Sequence, residues 1–364
     1  MNNDAQIISG LFLAFATAVL IGFSVYPLII KISFKKRFFK GSNKRTIHGK
    51  FVSTFGGIGI TFGFLMGSVI GIIILGHYAE SNKFYFLIFP VLLIFLLGVW
   101  DDLVQISAYS KVMIQIICGL MMTIFLDVRI NNLDGLFGVD QLSLFWSVSA
   151  TFLFILTIIN SINLLDGIDG FAGSFVVLVG IATAVFGLDA GRFDLVILTL
   201  ACLGSLLPFL FYNMYYKRKL FMGDSGSMVL GLLTAYFILE VFQFQGNGLN
   251  SITRSPIVIA FALGALPLID TTRVIILRLS RGQGPFTADK SHIHHQYIDM
   301  GLSHNQATYI VMQLTLALWI FGLSMPDIDV HKELGIIIIL ALVLYIGPIV
   351  LFRLKNHYYD NNGN

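Results

Sequence analysis

SLFWSVSATFLFILTIIN-SINLLDGIDG-FAGSFVVLVGIATAVFGL, residues 143–188, decides the fold. Two apolar runs, 143–160 and 171–188, each hold 18 residues. As helices they reach about 27 Å at 1.5 Å per residue, close to the thickness of a bilayer's hydrocarbon core. Between them stands a short segment carrying Asn163, Asp166 and Asp169 with two Asp-Gly pairs, too polar to be buried in lipid. The unit is therefore a pair of membrane-crossing helices joined by a tight, acid-bearing turn.

The same pattern repeats along the chain. Of 364 residues, 56% are hydrophobic and 12% charged, and the mean hydropathy is +0.84, values that no ordinary soluble domain reaches. Apolar runs between polar breaks predict eleven spans: 7–30, 55–76, 84–100, 110–126, 143–160, 171–188, 195–214, 228–244, 257–277, 306–325 and 335–352. A barrel would show short alternating segments instead. The fold class is thus all-α, a polytopic transmembrane bundle forming one integral membrane domain over residues 1–364. The first run follows Asp4 and lacks both a basic leader and a small-residue cleavage pattern, so it reads as a retained span.

Residues 31–50 hold eight Lys and Arg and no acid, which places that loop in the cytoplasm and the N-terminus outside. Alternation then collects sixteen basic residues in cytoplasmic segments against five outside (Lys83, Arg129, Arg192, Arg254, Lys332), with the C-terminus in the cytoplasm. The cytoplasmic loops that carry chemistry are 31–54, 101–109, 160–170, 215–227 and 278–305. The outer segment 127–144 has turn residues that suggest a small hairpin. Cys118 and Cys202 lie in apolar runs and read as core residues. A net charge of +3, unevenly spread, does not point to nucleic acid.

Acids on these loops stand where the orientation rule favours bases. Asp101 and Asp102 are adjacent at a helix end, and like charges so placed need a cation or a shared proton. Mg²⁺ held jointly by carboxylates and phosphates suits them, and an N-cap for the fourth span is the other reading. Asn163, Asp166 and Asp169 recur at a spacing of three and share one face if that segment is helical, whereas a plain Asx-Gly turn needs only one such pair. Met222-Gly223-Asp224-Ser225-Gly226-Ser227 opens the eighth span with a glycine-rich turn suited to phosphate, and Asp224 there makes sense as a metal bridge. Ser225 and Ser227 read as helix caps, and Phe221 as a surface for a nucleobase or as packing.

His292-Ile293-His294-His295 lacks a nearby Cys or Glu to complete a zinc set, so these side chains read as protonatable donors to a diphosphate. Arg273, three residues after Asp270, faces this site or pairs with that acid. Arg45 and Thr54, on the basic loop and the Thr54-Phe55-Gly56-Gly57 turn, are candidates for the nucleotide phosphates, though the bases there also serve orientation. Glu240, inside the eighth span near its outer end, reads as snorkelling or paired.

Gly98 to Asp102, Asn163 to Gly170, Met222 to Ser227 and His292 to His295, in that order, resemble the polyprenyl-phosphate N-acetylhexosamine-1-phosphate transferases. The His-Ile-His-His form looks like the WecA and TagO branch of that family, as distinct from MraY. The resemblance implies transfer of N-acetylglucosamine 1-phosphate from UDP-GlcNAc to undecaprenyl phosphate in the bacterial inner membrane. UMP is released, and the lipid product starts O-antigen, enterobacterial or teichoic-type polymers. It implies Mg²⁺, with Mn²⁺ as a substitute, on Asp224 together with Asp101 and Asp102. Asp101 and Asp102 would orient or deprotonate the lipid phosphate, Asp169 would meet the nucleobase and Phe221 would stack on it. Asn163 and Asp166 would lie near the diphosphate, and His292, His294 and His295 on the sugar-phosphate side. No Lys stands three residues after Asp102, which leaves Lys111 as the nearest candidate for the lipid phosphate, and Lys290 replaces a more usual Arg. A homodimer is compatible with this reading. The same chemistry on UDP-MurNAc-pentapeptide or another UDP-N-acetylhexosamine is the near alternative. A secondary transporter is the distant one, disfavoured because the acids sit on one-sided loops instead of midplane broken helices.

Overall fold

The structure is a computed structural model and describes residues 3–36, 53–76, 81–243, 255–284, 291–325 and 328–362. Twelve helices account for nearly all of them: α1 Asn3–Lys36, α2 Gly56–Leu75, α3 Ser81–Val104, α4 Ala108–Phe125, α5 Leu144–Leu165, α6 Phe171–Asp189, α7 Phe193–Leu210, α8 Gly223–Phe242, α9 Pro256–Ser280, α10 Ile293–Asp299, α11 His304–Ser324 and α12 Val330–Asn362. All but the short α10 are long and apolar enough to cross a membrane, and the eleven agree with the spans read from the sequence. Among the described residues there is no β-strand, only two isolated bridges.

One helix organises the rest. The most apolar stretch of α8 is buried over its whole length, packed by α2, α3, α5, α6 and α9. A helix apolar on every face belongs inside a bundle, and small residues let neighbours approach closely where water supplies no driving force. Gly231 of α8 lies against the backbone of Ile159 in α5, and a Cβ there would stand 2.7 Å from that Cα. Near the C-terminus of α3, Gly98 touches the first turn of α8. A Cβ on Gly98 would overlap Ser225 Cα and lie 2.6 Å from Ser225 N, backbone that cannot move aside.

The two ends of the bundle differ in chemistry. At one end Glu240, fully buried, faces Lys83 Nζ at 3.6 Å and Arg192 Nη1 at 3.4 Å, and Arg192 also holds Asp194. Glu240 is therefore paired, not snorkelling. The same end carries the hairpin expected in 127–144: Asn132 bridges Gln141 around a short 3₁₀ turn, Leu136–Gly138. Phe137 N donates to His331 Nε2 at 2.9 Å, tying this hairpin to the start of α12. Cys118 and Cys202 are buried and unpaired by disulfide, as core residues. The opposite end gathers the C-termini of α3, α5 and α9 with the N-termini of α2, α8 and α11, and the acids lie there.

Gly98→Ala is expected to destabilise the bundle by about 1–3 kcal/mol, the usual cost of overpacking. Gly335→Ala in α12, where nothing lies within 4 Å of the added carbon, is expected to leave the thermal midpoint in detergent unchanged or slightly raised. Equal midpoints for the two variants would remove Gly98 as the contact that sets the spacing of α3 and α8.

Candidate active site

The N-terminus of α8 is held by a residue from α3. Gly223 turns the chain at φ 73°, a conformation that suits glycine, and its Cα lies so close to Asp102 that a Cβ would stand 2.6 Å from Oδ2. Beyond it, Asp224 N donates to Asp102 Oδ1 at 2.9 Å and Ser225 N to Asp102 Oδ2 at 3.0 Å. These are the amides a helix leaves unsatisfied, and a carboxylate there also meets the positive end of the helix dipole. The capping expected of Ser225 and Ser227 is thus supplied by Asp102 across 122 residues. Ser227 Oγ donates to Gly223 O at 3.0 Å instead. Nor do Asp101 or Asp102 cap the fourth span: Ser107 does, accepting from Ser110 N.

Around this cap three more groups converge. Asp101, 3% exposed, accepts from Ile106 N at 2.8 Å and from Lys111 Nζ at 2.5 Å. Lys111 Nζ also lies 4.0 Å from Asp224 Oδ2, so one ammonium stands beside both carboxylates. From the last turn of α5, Asn163 Nδ2 donates to Asp224 Oδ1 at 2.7 Å and to Ser227 Oγ at 2.8 Å. Asp101, Asp102, Lys111, Asn163 and Asp224, read from four separate segments, therefore form one cluster.

Beside it opens a cavity of about 260 Å³. Asp166 to Asp169 form one wall, Phe221 and Thr54 another, with Asn163, Asp224, Ser227, Asn213 and His304 between them. Phe221 is 40% exposed, so a ring face is open for stacking. The Thr54 turn joins the site differently from the expected phosphate cradle. Gly56 N and Gly57 N donate to Phe221 O and Met222 O at 2.9 and 2.8 Å, so these amides carry the Phe221 segment. Asp169 is ion-paired with Lys219, and His304 Nδ1 lies 3.5 Å away. Asn213 accepts from Gly170 N at 2.6 Å and fixes the end of that turn. Lys219, His304 and Asn213 were not singled out from the sequence, and Ser227 was read only as a helix cap. Lys219 was absorbed into a basic run that orientation explains, and His304 and Asn213 stand alone in sequence without a motif.

The histidines lie behind the Asp166 turn. Asp270 Oδ1 accepts from Ile293 N and Oδ2 meets His292 Nδ1, both at 2.9 Å. Arg273 bonds the same acid and the carbonyl of Ser291. Arg273 therefore fixes the start of α10, the reading in which it pairs with Asp270. His294 is buried against Gly167, with its ring centroid 4.2 Å from that of His295. Burial, reinforced by the neighbouring His295, pushes the His294 imidazole down to about 3, so the ring is neutral where no anion adjoins it. Among the described residues neither of its ring nitrogens has a hydrogen-bond partner, nor has His292 Nε2. Among the described residues no group of three or more His, Cys, Asp or Glu is disposed to hold a metal alone. Arg45 lies outside the described residues.

Known proteins share this arrangement of sequence. The model of glycosyl transferase family 4 matches residues 84–242, which span α3 to α8 and contain every group of the cluster. The chain is 31% identical over 335 residues to the probable undecaprenyl-phosphate N-acetylglucosaminyl 1-phosphate transferase of Bacillus subtilis (strain 168), covering 92% of this chain and 90% of that one. It is 28% identical over 271 residues to the undecaprenyl-phosphate alpha-N-acetylglucosaminyl 1-phosphate transferase of Escherichia coli (strain K12), covering 73% and 69%. With the protein of that name from Salmonella typhi it shares 28% over 317 residues, 85% and 77% of the two chains. With eleven spans, an acidic cluster at one end of the bundle and these relatives, the chain belongs to glycosyl transferase family 4 and is a multi-pass membrane phosphoglycosyltransferase.

Proposed function

We propose that this protein transfers N-acetylglucosamine 1-phosphate from UDP-GlcNAc to undecaprenyl phosphate, releasing UMP and starting a lipid-linked surface polysaccharide. The observation that carries the reading is the meeting of Asp101, Lys111, Asn163 and Asp224 beside a cavity at one end of the membrane bundle. A soluble nucleotide and a lipid phosphate can only meet at such a level. The names of the relatives support the substrate pair, and the excess of basic residues on the site's loops supports a cytoplasmic face in a bacterial inner membrane.

Mg²⁺ fits the donor set. Asp102 is engaged by the amides of α8, and the Asp101 and Asp224 carboxylates share the Lys111 ammonium. Two carboxylates plus phosphate oxygens and water is how Mg²⁺ is commonly bound, and Mn²⁺ takes the same ligands. When bound, such an ion would supply charge neutralisation of the diphosphate. This chain's own residues do the rest. Phe221 offers its ring to the uracil and the Asp166–Asp169 wall encloses the nucleotide. Asn163 orients Asp224, and Asp102 holds the first turn of α8 in place. An oxygen of the acceptor phosphate attacks the phosphorus that bears the sugar. The bond from that phosphorus to the bridging oxygen breaks, and UMP leaves with that oxygen. Alignment and charge matter more here than covalent chemistry.

Purified protein with undecaprenyl phosphate and a panel of UDP-sugars is expected to release UMP best with UDP-GlcNAc. A chelator should stop release and Mg²⁺ restore it. Asp224→Asn is expected to lower turnover by about a hundredfold or more, as losing a principal electrostatic group does, at every Mg²⁺ concentration. Near-normal turnover in that variant would contradict the assignment.

The neutral state of His294 gives a pH signature. Its folded value, about 3, lies below that of a free imidazole, so the unfolded chain binds the extra proton first. The stability it contributes is complete above about pH 6.5 and declines as pH falls from there toward 3. Thermal midpoints measured from pH 7 to 5 are expected to fall less in His294→Gln than in the wild type. Parallel curves would show that His294 is not held neutral by burial.

A further inference from the structure

Lys111 stands in the first turn of α4, and α4 is pinned to α5 by Asn160 Nδ2 donating to the buried Gln115 Oε1 at 2.9 Å. That anchoring aims the ammonium at the gap between two facing acids, 2.5 Å from Asp101 Oδ2 and 4.0 Å from Asp224 Oδ2. The same gap is where the metal reading puts a divalent ion. An ammonium and a divalent cation repel strongly at such a separation in a partly buried site, so they cannot occupy it together. The Lys111 side chain is one-quarter exposed, and Trp100, Leu103 and Val104 at the end of α3 and Tyr109 in the same turn of α4 as Lys111 are exposed apolar side chains. The ammonium therefore has an anion on the protein side and a path to the bilayer on the other.

We propose that Lys111 is a resident counter-ion that exchanges. It neutralises the Asp101 and Asp224 pair in the metal-free protein, and moves to the phosphate of the acceptor lipid when a divalent ion takes the pair. The inference rests on the metal reading above. Its consequence is a coupling between two ligands. The lipid phosphate draws Lys111 away and favours the metal, and by linkage the metal favours the lipid phosphate to the same degree. A Lys111 that only contacted lipid phosphate would leave metal affinity untouched, and one that only supported the acids would make the metal bind worse when removed.

Mn²⁺ affinity, read from the loss of the free-ion electron paramagnetic resonance signal in detergent, separates these cases without any turnover. In wild-type protein dodecyl phosphate is expected to tighten Mn²⁺ binding by about fivefold or more, the lower range of such couplings. Lys111→Gln and Lys111→Met are expected to bind Mn²⁺ tighter than wild type before any alkyl phosphate is added, and to gain nothing from it. Misfolding cannot produce that result. Lys111→Arg, which keeps the charge, is expected to retain the weaker affinity. Charge-free variants that bind Mn²⁺ as weakly as wild type, or more weakly, overturn the exchange. Wild-type protein with no saturable Mn²⁺ binding, or with binding that Asp224→Asn leaves unchanged, overturns the metal reading itself and this inference with it.

Discussion

The Asp102 carboxylate, set against the first free amides of α8, is the contact on which the site depends. A helix buried on every side cannot leave its N-terminal donors unsatisfied, because water does not reach them in number. A carboxylate from another helix answers two needs together: it supplies acceptors and it complements the helix dipole. The answer fixes geometry as well. Once α3 is tied to α8 at this point, Gly98 must be small, Gly223 must turn with positive φ, and Asp101 is delivered next to Asp224.

That delivery creates an electrostatic problem which the fold does not remove. Two carboxylates face each other at the membrane's edge, where desolvation makes their repulsion worse than in water. Lys111 from α4 and the Asn163 amide from α5 relieve part of it. The opposite end of the bundle shows the other way to handle buried charge. There Glu240 is surrounded by Lys83 and Arg192, and Arg192 by Asp194, so acids and bases balance. The contrast sets a buried ion cluster of mixed sign against one in which acids predominate.

Much of this was legible in the residues. The eleven spans follow from the lengths of apolar runs alone, since each backbone crossing lipid must be helical and long enough. The acids were legible because they break the charge pattern at one set of loops, and the structure brings Asp101, Asp102, Asn163, Asp166, Asp169 and Asp224 to one end. What the sequence did not reveal is which partner each acid takes. Asp102 caps a helix 122 residues away, Asp270 holds the start of α10, and Lys219 and His304 meet Asp169 from different segments. Such pairings depend on how helices pack, and local spacing contains no trace of them. The burial of His294 was not legible for the same reason, because its packing against Gly167 is a property of the assembled turn.

Amide hydrogen exchange over residues 221–227 tests the central contact most directly. Peptides covering this segment should exchange as slowly in the wild type as the interior of α8. In Asp102→Ala the amides of Asp224 and Ser225 should become fast while the rest of α8 stays protected. Fast exchange at those amides in the wild type, or unchanged protection once the carboxylate is gone, would contradict the account.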